Sequence, residues 1–197
     1  REEKTGNEVV DDFSHKSQRE LERMETLIQN LLKLARLDAG TIDLEKRKYR
    51  LKDFLEEILL RFQTRAEIEG KVLKLQCENS LSLWLDKIWM GEAVGNIIKN
   101  ALDHTQGGDA IEISCRQSGV AVEIIVRDSG SGIHPEDIHH IFKRFYRSRY
   151  SQNRQGIGIG LALAKAIIEK HGGTVTVESR VQKGTSFQLI FPSLTKL

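Results

Sequence analysis

The stretch AIEISCRQSGVAVEIIVRD, Ala110 to Asp128, alternates apolar and polar residues in two successive runs. Side chains on a strand point to opposite faces with a period of two, so Ala110 to Arg116 and Val120 to Asp128 read as strands. Gly119 between them supplies a turn. Strands joined by so short a link must pair antiparallel, because a parallel pair needs a long crossover. A second hairpin follows, Thr174 to Ser179 and Ser186 to Phe191, with its turn at Lys183-Gly184. These two hairpins decide the fold class. A doubly wound parallel sheet would require strict alternation of strands and helices, which this chain lacks.

Outward from the hairpins the period changes to that of helices. Leu51 to Glu69 places Phe54, Leu55, Ile58, Leu59 and Phe62 on one face. Asp86 to His104 has a capping residue in Asp86 and Gly107-Gly108 beyond its end. Ile159 to His171 stops at Gly172-Gly173. Lys71 to Cys77 and Leu81 to Leu85 read as further strands. The expected fold is an α/β two-layer sandwich, a mixed and largely antiparallel sheet with helices on one face. A helical segment precedes it, giving expected units over residues 1–40 and 44–197.

In that first unit, Leu21, Met24, Ile28, Leu31 and Ala35 recur at spacings of three and four, and Leu27 and Leu34 widen the stripe. This is an amphipathic helix with a bundle seam, ending at Asp38-Ala-Gly40. Self-association or packing on the rest of the chain would each bury the stripe.

The 197 residues are 39% hydrophobic and 29% charged, with a net charge of +2, so composition does not call for a nucleic-acid partner. Charge is uneven, however. Between Asp137 and Glu169 there is no acidic residue, while Lys143, Arg144, Arg147, Arg149, Arg154 and Lys165 form a basic stretch suited to phosphate. No apolar run approaches the ~20 residues that cross a bilayer, and the opening REEK carries no leader pattern. Cys77 and Cys115 sit in apolar alternating stretches and are expected as buried free thiols, with a disulfide left open.

Three motifs carry chemistry. Asp128-Ser-Gly-Ser-Gly-Ile133 follows the apolar run Ile124-Ile-Val126. A carboxylate at a strand end can form a turn, or accept a hydrogen bond from an amino group while bare glycine backbone admits a flat ring. Gln155-Gly-Ile-Gly-Ile-Gly-Leu161 is not a dinucleotide fingerprint, because the polar SRYSQNR before it is no strand. It also lacks the Gly-Lys-Ser/Thr of a Walker loop. What remains is a glycine-rich loop opening a helix, whose free N–H groups suit phosphate. Asn96 and Asn100 lie four apart and share a helix face, where their amide oxygens could hold a hard cation such as Mg²⁺. Lys99 and His104 beside them could meet phosphate. The alternative for this helix is a solvated polar edge.

Taken together, residues from about Leu44 to Pro192 resemble the ATP-binding catalytic domain of a bacterial two-component sensor histidine kinase. Glu92 to Asn100 resembles its N box, and Asp128 to Ile133 its first glycine box. Ile141 to Tyr146 resembles the F box, Gln155 to Leu161 the second glycine box and Gly184 to Phe187 the last. The resemblance implies that Asp128 binds the adenine amino group, with Gly130, Gly132 and Ile133 around the ring and Gly184 and Thr185 on its far side. It implies Mg²⁺ on Asn96 and Asn100. Residues from about Arg147 to Gln155 would form a lid, and Gly156, Gly158 and Gly160 would hold the triphosphate, with Phe145, Tyr146 and Leu161 also in the nucleotide site. In related ATPases a glutamate activates water where Asn96 stands. An amide cannot act as a general base, which favours phosphoryl transfer over hydrolysis.

The same resemblance implies a phosphoacceptor histidine on a helical hairpin that dimerises. Phe13-Ser-His15 looks like the start of that box, making His15 the candidate acceptor. Yet Lys16-Ser-Gln-Arg-Glu-Leu21 lacks the acidic neighbour and the proline of the pattern, and Ser17 to Gly40 already resembles the second helix of the hairpin. Either an internal segment is absent after about His15, the expectation here, or residues 8–38 form one long helix. The implied partners are a second copy, through the N-terminal helix, and the receiver domain of a response regulator. Neither nucleic acid nor a membrane segment is expected, and the chain would be the cytoplasmic portion of a membrane sensor.

Overall fold

The computed structural model describes residues 6–149 and 156–192, and of residues 6–12 and 19 the backbone alone. Arg154, Gln155 and most of the expected lid therefore lie outside the described residues, as do residues 193–197. The chain begins with helix α1, Gly6–Asp38. Residues 7–39 contain neither glycine nor proline, so nothing in them breaks the helix, and it runs unbroken through His15 and Lys16. This is the continuous arrangement. No turn follows His15, and the residues form the one long helix of the second alternative.

After Gly40, whose φ of 68° ends the helix, come β1 (Arg47–Arg50) and α2 (Leu51–Ile68). Next are β2 (Val72–Cys77), β3 (Ser82–Leu85) and α3 (Lys87–Asp103). The hairpin strands are β4 (Ala110–Ser118) and β5 (Ala121–Asp128). A short α4 (Pro135–Ile138), α5 (Gly160–Lys170), β6 (Thr174–Ser179) and β7 (Thr185–Pro192) complete the chain.

The main sheet has the order β2-β4-β5-β7-β6, with β2 parallel to β4 and every other pair antiparallel. Helices α2, α3 and α5 pack on the side where Ile111, Ile113, Ile124, Val126, Phe187 and Leu189 point, all at most 1% exposed. Their facing residues include Ile97, Ile98, Leu163 and Ile167, equally buried. Full burial of one such side chain contributes about 1.5–3 kcal/mol, so this layer supplies much of the stability. The mixed sheet with helices on one face is as expected. Strand β3 does not join it: it pairs antiparallel with β1 in a separate two-stranded sheet. Three of the four β1 residues, Arg47, Lys48 and Arg50, are basic, which hides the strand from any hydrophobic pattern.

Asp86 organises the start of α3. Its Oδ1 accepts the N–H groups of Ile88 and Trp89 at 3.0 and 3.1 Å, and its Oδ2 accepts Glu45 N–H at 3.0 Å. Its own N–H donates to His171 Nε2 at 3.1 Å, while His171 Nδ1 lies 2.8 Å from the Ile167 carbonyl. Nε2 accepts, so the proton sits on Nδ1. Helix α1 rests on this unit through buried Leu34 and Leu37. Lys33 pairs with Glu92 at 3.0 Å, and Arg144 Nη2 spans both oxygens of Asp38 at 2.7 and 2.6 Å.

Candidate nucleotide-binding site

Asp128 is the last residue of β5, on the helix-covered face, in register with Ile111 on one side and Thr185 on the other. It is 4% exposed. Its Oδ1 accepts Gly130 N–H at 2.9 Å and Thr185 N–H at 3.3 Å. Oδ2 has no hydrogen bond among the described residues. Burial pushes the carboxyl up to about 6, against the pull of those two N–H groups. A buried, fixed acceptor with one oxygen unengaged suits an amino group on a flat ligand.

The walls around it are backbone. Gly184, at φ 85°, lies so close to the Asp128 carbonyl that any side chain there would overlap it. On the other side, His104 O accepts Ser131 N–H at 3.1 Å and stands against Gly130, tying the end of α3 to the turn after β5. Gly132 crosses the Arg180 carbonyl, and Ile133 N–H donates to Ser179 Oγ at 2.8 Å. Ser179 Oγ in turn donates to Gly184 O at 2.9 Å and lies 3.0 Å from Thr185 Oγ1. Ser179 thus clamps the first and last glycine turns together. Sequence reading passed over it, since one polar residue at a strand end gives no signal until the register is known.

Helix α3 and the start of α5 meet at Asn96 and Gly160. Gly160, the first residue of α5, packs on Asn96 of α3, and a Cβ there would sit 3.0 Å from Asn96 Oδ1. Asn96 Nδ2 is buried without a hydrogen-bond partner among the described residues. An orphaned buried donor is costly, and one at the mouth of a glycine-rich loop fits a ligand with oxygen acceptors. Asn100 follows one turn later. Lys99 is engaged by Asp103 at 2.6 Å, and Asp103 also takes Arg65 at 2.7 Å. His104 is the C-cap of α3, and burial lowers its pKa. Gly156 and Leu161 flank the loop, Leu161 packed against the core.

The segments on either side of residues 150–155 meet at one point. Phe145 N–H donates to Gly158 O at 2.8 Å, and Phe145 has φ 61°, strained for a residue with a side chain. Tyr146, next to it, donates its hydroxyl to Asp137 Oδ1 at 2.5 Å. Arg147 follows, near the edge of the described residues. Asp137, only 3% exposed, is a second residue that sequence reading missed.

Residues 85–195, more than half of the chain, match the family described as histidine kinase-, DNA gyrase B-, and HSP90-like ATPase. The chain belongs to this family. Among members of the histidine kinase-, gyrase- and HSP90-like family, the sensor protein SrrB of Staphylococcus aureus is 31% identical over 175 residues. That match covers 88% of this chain and 30% of SrrB. The Acinetobacter baumannii histidine kinase AdeS superposes with a TM-score of 0.77 at 22% identity, covering 92% of this chain and 84% of AdeS. The histidine kinase ThkA, solved in complex with the response regulator protein TrrA, gives 0.75 at 21% identity, covering 98% and 53%. At these identities the structural likeness establishes the fold. The resemblance read from the motifs, to the ATP-binding core of a bacterial histidine kinase, holds.

Proposed function

We propose that this chain is the kinase core of a two-component sensor: it binds ATP with Mg²⁺, autophosphorylates His15 and passes the phosphoryl group to an aspartate on a response regulator. The observation that carries the reading is Asn96. It stands against the glycine-rich loop, where a hydrolase of this family would need a carboxylate. Asp128 would receive the adenine amino group, with Gly130, Gly132, Ile133, Gly184 and Thr185 around the ring. Asn96 and Asn100 offer hard oxygen donors for Mg²⁺, which would neutralise phosphate charge. The loop Gly156–Gly160 would hold the phosphates, with Lys99, His104, Leu161, Phe145, Tyr146 and Arg147 bordering them. Catalysis by such a site is positioning and charge neutralisation.

His15 is exposed on α1. At 1.5 Å per residue it lies about 28 Å along the axis from Leu34, where α1 meets the catalytic unit. Transfer therefore requires the catalytic unit to swing about residues 39–46, or a second chain to present its helix. The exposed stripe of Leu21, Met24, Ile28 and Leu32 supports association of two copies through α1. No helix among the described residues is long and apolar enough to cross a membrane, and we place the chain on the cytoplasmic side of a longer sensor. The ThkA–TrrA complex supports a response regulator as partner.

Incubation of the whole chain with γ-labelled ATP and Mg²⁺ tests the proposal. Acid-labile, base-stable label on the protein, lost in His15→Gln, is the expected result; label that survives this substitution removes His15 from its role. A second reading, an ATP-binding module without a competent acceptor, is favoured by Lys16 in place of an acidic neighbour and by the remoteness of His15. Tight nucleotide binding with neither label nor free phosphate would select it.

A further inference from the structure

Cys77 and Cys115 are direct register partners on the parallel strands β2 and β4, and both side chains point to the helix-covered face. Neighbouring positions on paired strands bring Cα atoms to about 5 Å, inside the range a disulfide spans. We infer that Cys77 and Cys115 are an oxidisable thiol pair that closes to an intramolecular disulfide by exchange with a small-molecule disulfide.

Their surroundings set the order of events. Cys115 is 7% exposed, whereas Cys77 is half-buried on the edge strand, where a small disulfide can reach it. Burial raises both thiols above their ordinary range, Cys115 the further. Cys77 is thus the first to attack, and the reaction is slow at neutral pH because little thiolate is present. The Cys77 thiolate forms a bond to one sulfur of R–S–S–R and releases one RS⁻. The Cys115 thiolate then forms a bond to Cys77 Sγ and displaces the second RS⁻. The two thiol protons pass to the released thiolates. Two protein thiols are oxidised and one small disulfide is reduced to two thiols.

The bond would tie the edge strand to the sheet at the end opposite the nucleotide site, since Val72 and Ala110 pair at the Asp128 end while Cys77 and Cys115 pair at the other. It would also close the chain over residues 78–114, which include all of α3. The expected consequence is a stiffer, more heat-resistant domain with its nucleotide pocket intact.

The test is incubation of the whole chain with oxidised glutathione at neutral pH, followed by intact mass and peptide mapping. The expected product is monomeric, lighter by two hydrogens, carries a Cys77–Cys115 cross-linked peptide, and melts about 10 °C higher than the reduced protein. Cys115→Ala should stop at a stable glutathione adduct on Cys77, and Cys77→Ala should leave Cys115 unmodified. Two cysteines that both remain alkylatable in the native protein, a disulfide between chains, or a lasting glutathione adduct on the wild-type chain would each overturn the inference. Adduct formation at Cys115 in Cys77→Ala would overturn the order of attack.

Discussion

Gly160 at the start of α5 lies against Asn96 in the middle of α3, close enough that a methyl group on Gly160 would press on Asn96 Oδ1. The glycine-rich loop and the amide proposed for Mg²⁺ are therefore one mechanical unit. Gly160→Ala should cost at least about tenfold in affinity for ATP with Mg²⁺, or ~1.4 kcal/mol. Helix propensity favours alanine by up to about 1 kcal/mol, which offsets the pressure on Asn96, so the melting temperature should change little. Calorimetric titration beside a thermal melt checks both; equal affinity in the two proteins would detach Asn96 from the ligand.

Asp128 makes nucleotide binding depend on pH. Its folded pKa of about 6 stands above the ordinary 3.8. The ionised form, proposed to accept the adenine amino group, is lost as pH falls through 6. Affinity for ADP should fall between pH 7 and pH 5 in the wild type relative to Asp128→Asn. Titration of the ligand's own phosphates is common to both proteins and cancels in the ratio. Stability runs the other way. A carboxyl raised on folding contributes favourably below 3.8, and that contribution is lost as pH rises through 6. Asp128→Asn should therefore gain up to about 3 kcal/mol relative to wild type between pH 4 and pH 7.5. Denaturant melts at the two pH values measure it.

Tyr146→Phe separates the proposed lid from the proposed adenine pocket. The hydroxyl is bound to Asp137, whose other oxygen, Oδ2, is buried without a partner among the described residues. Losing the hydrogen bond should destabilise the protein by about 1–3 kcal/mol. It should also free the strained Phe145 turn at which the lid ends meet. Affinity for the triphosphate should drop while affinity for adenosine stays constant, read by competition with a fluorescent nucleotide.

The parts of the fold legible in the sequence were those whose cause is local. Alternation in Ala110–Asp128 showed the hairpin, and Asp86 announced its helix because a cap bonds two and three residues ahead. Asp128 stood out as an acid closing an apolar strand. What stayed hidden depends on residues far apart in sequence. The basic β1 becomes a strand only by pairing with β3, and Ser179 matters only because β6 and β7 bring it beside Ile133 and Gly184. The unbroken helix through His15 follows from the absence of any glycine or proline there.

His171 offers the last test, because its partners fix its charge. Nε2 accepts Asp86 N–H and Nδ1 donates to Ile167 O, so the neutral ring fills both roles. Burial holds its pKa below the ordinary 6.5. A histidine lowered on folding contributes stability above 6.5 that is lost as pH falls through the folded value. His171→Gln removes the acceptor and should cost about 1–3 kcal/mol at pH 7.5. The gap between wild type and variant should narrow steadily toward pH 5, as the wild type loses its share. Thermal melts across that range report the gap; a gap that stays constant would mean that His171 keeps the same charge in the folded and unfolded chain.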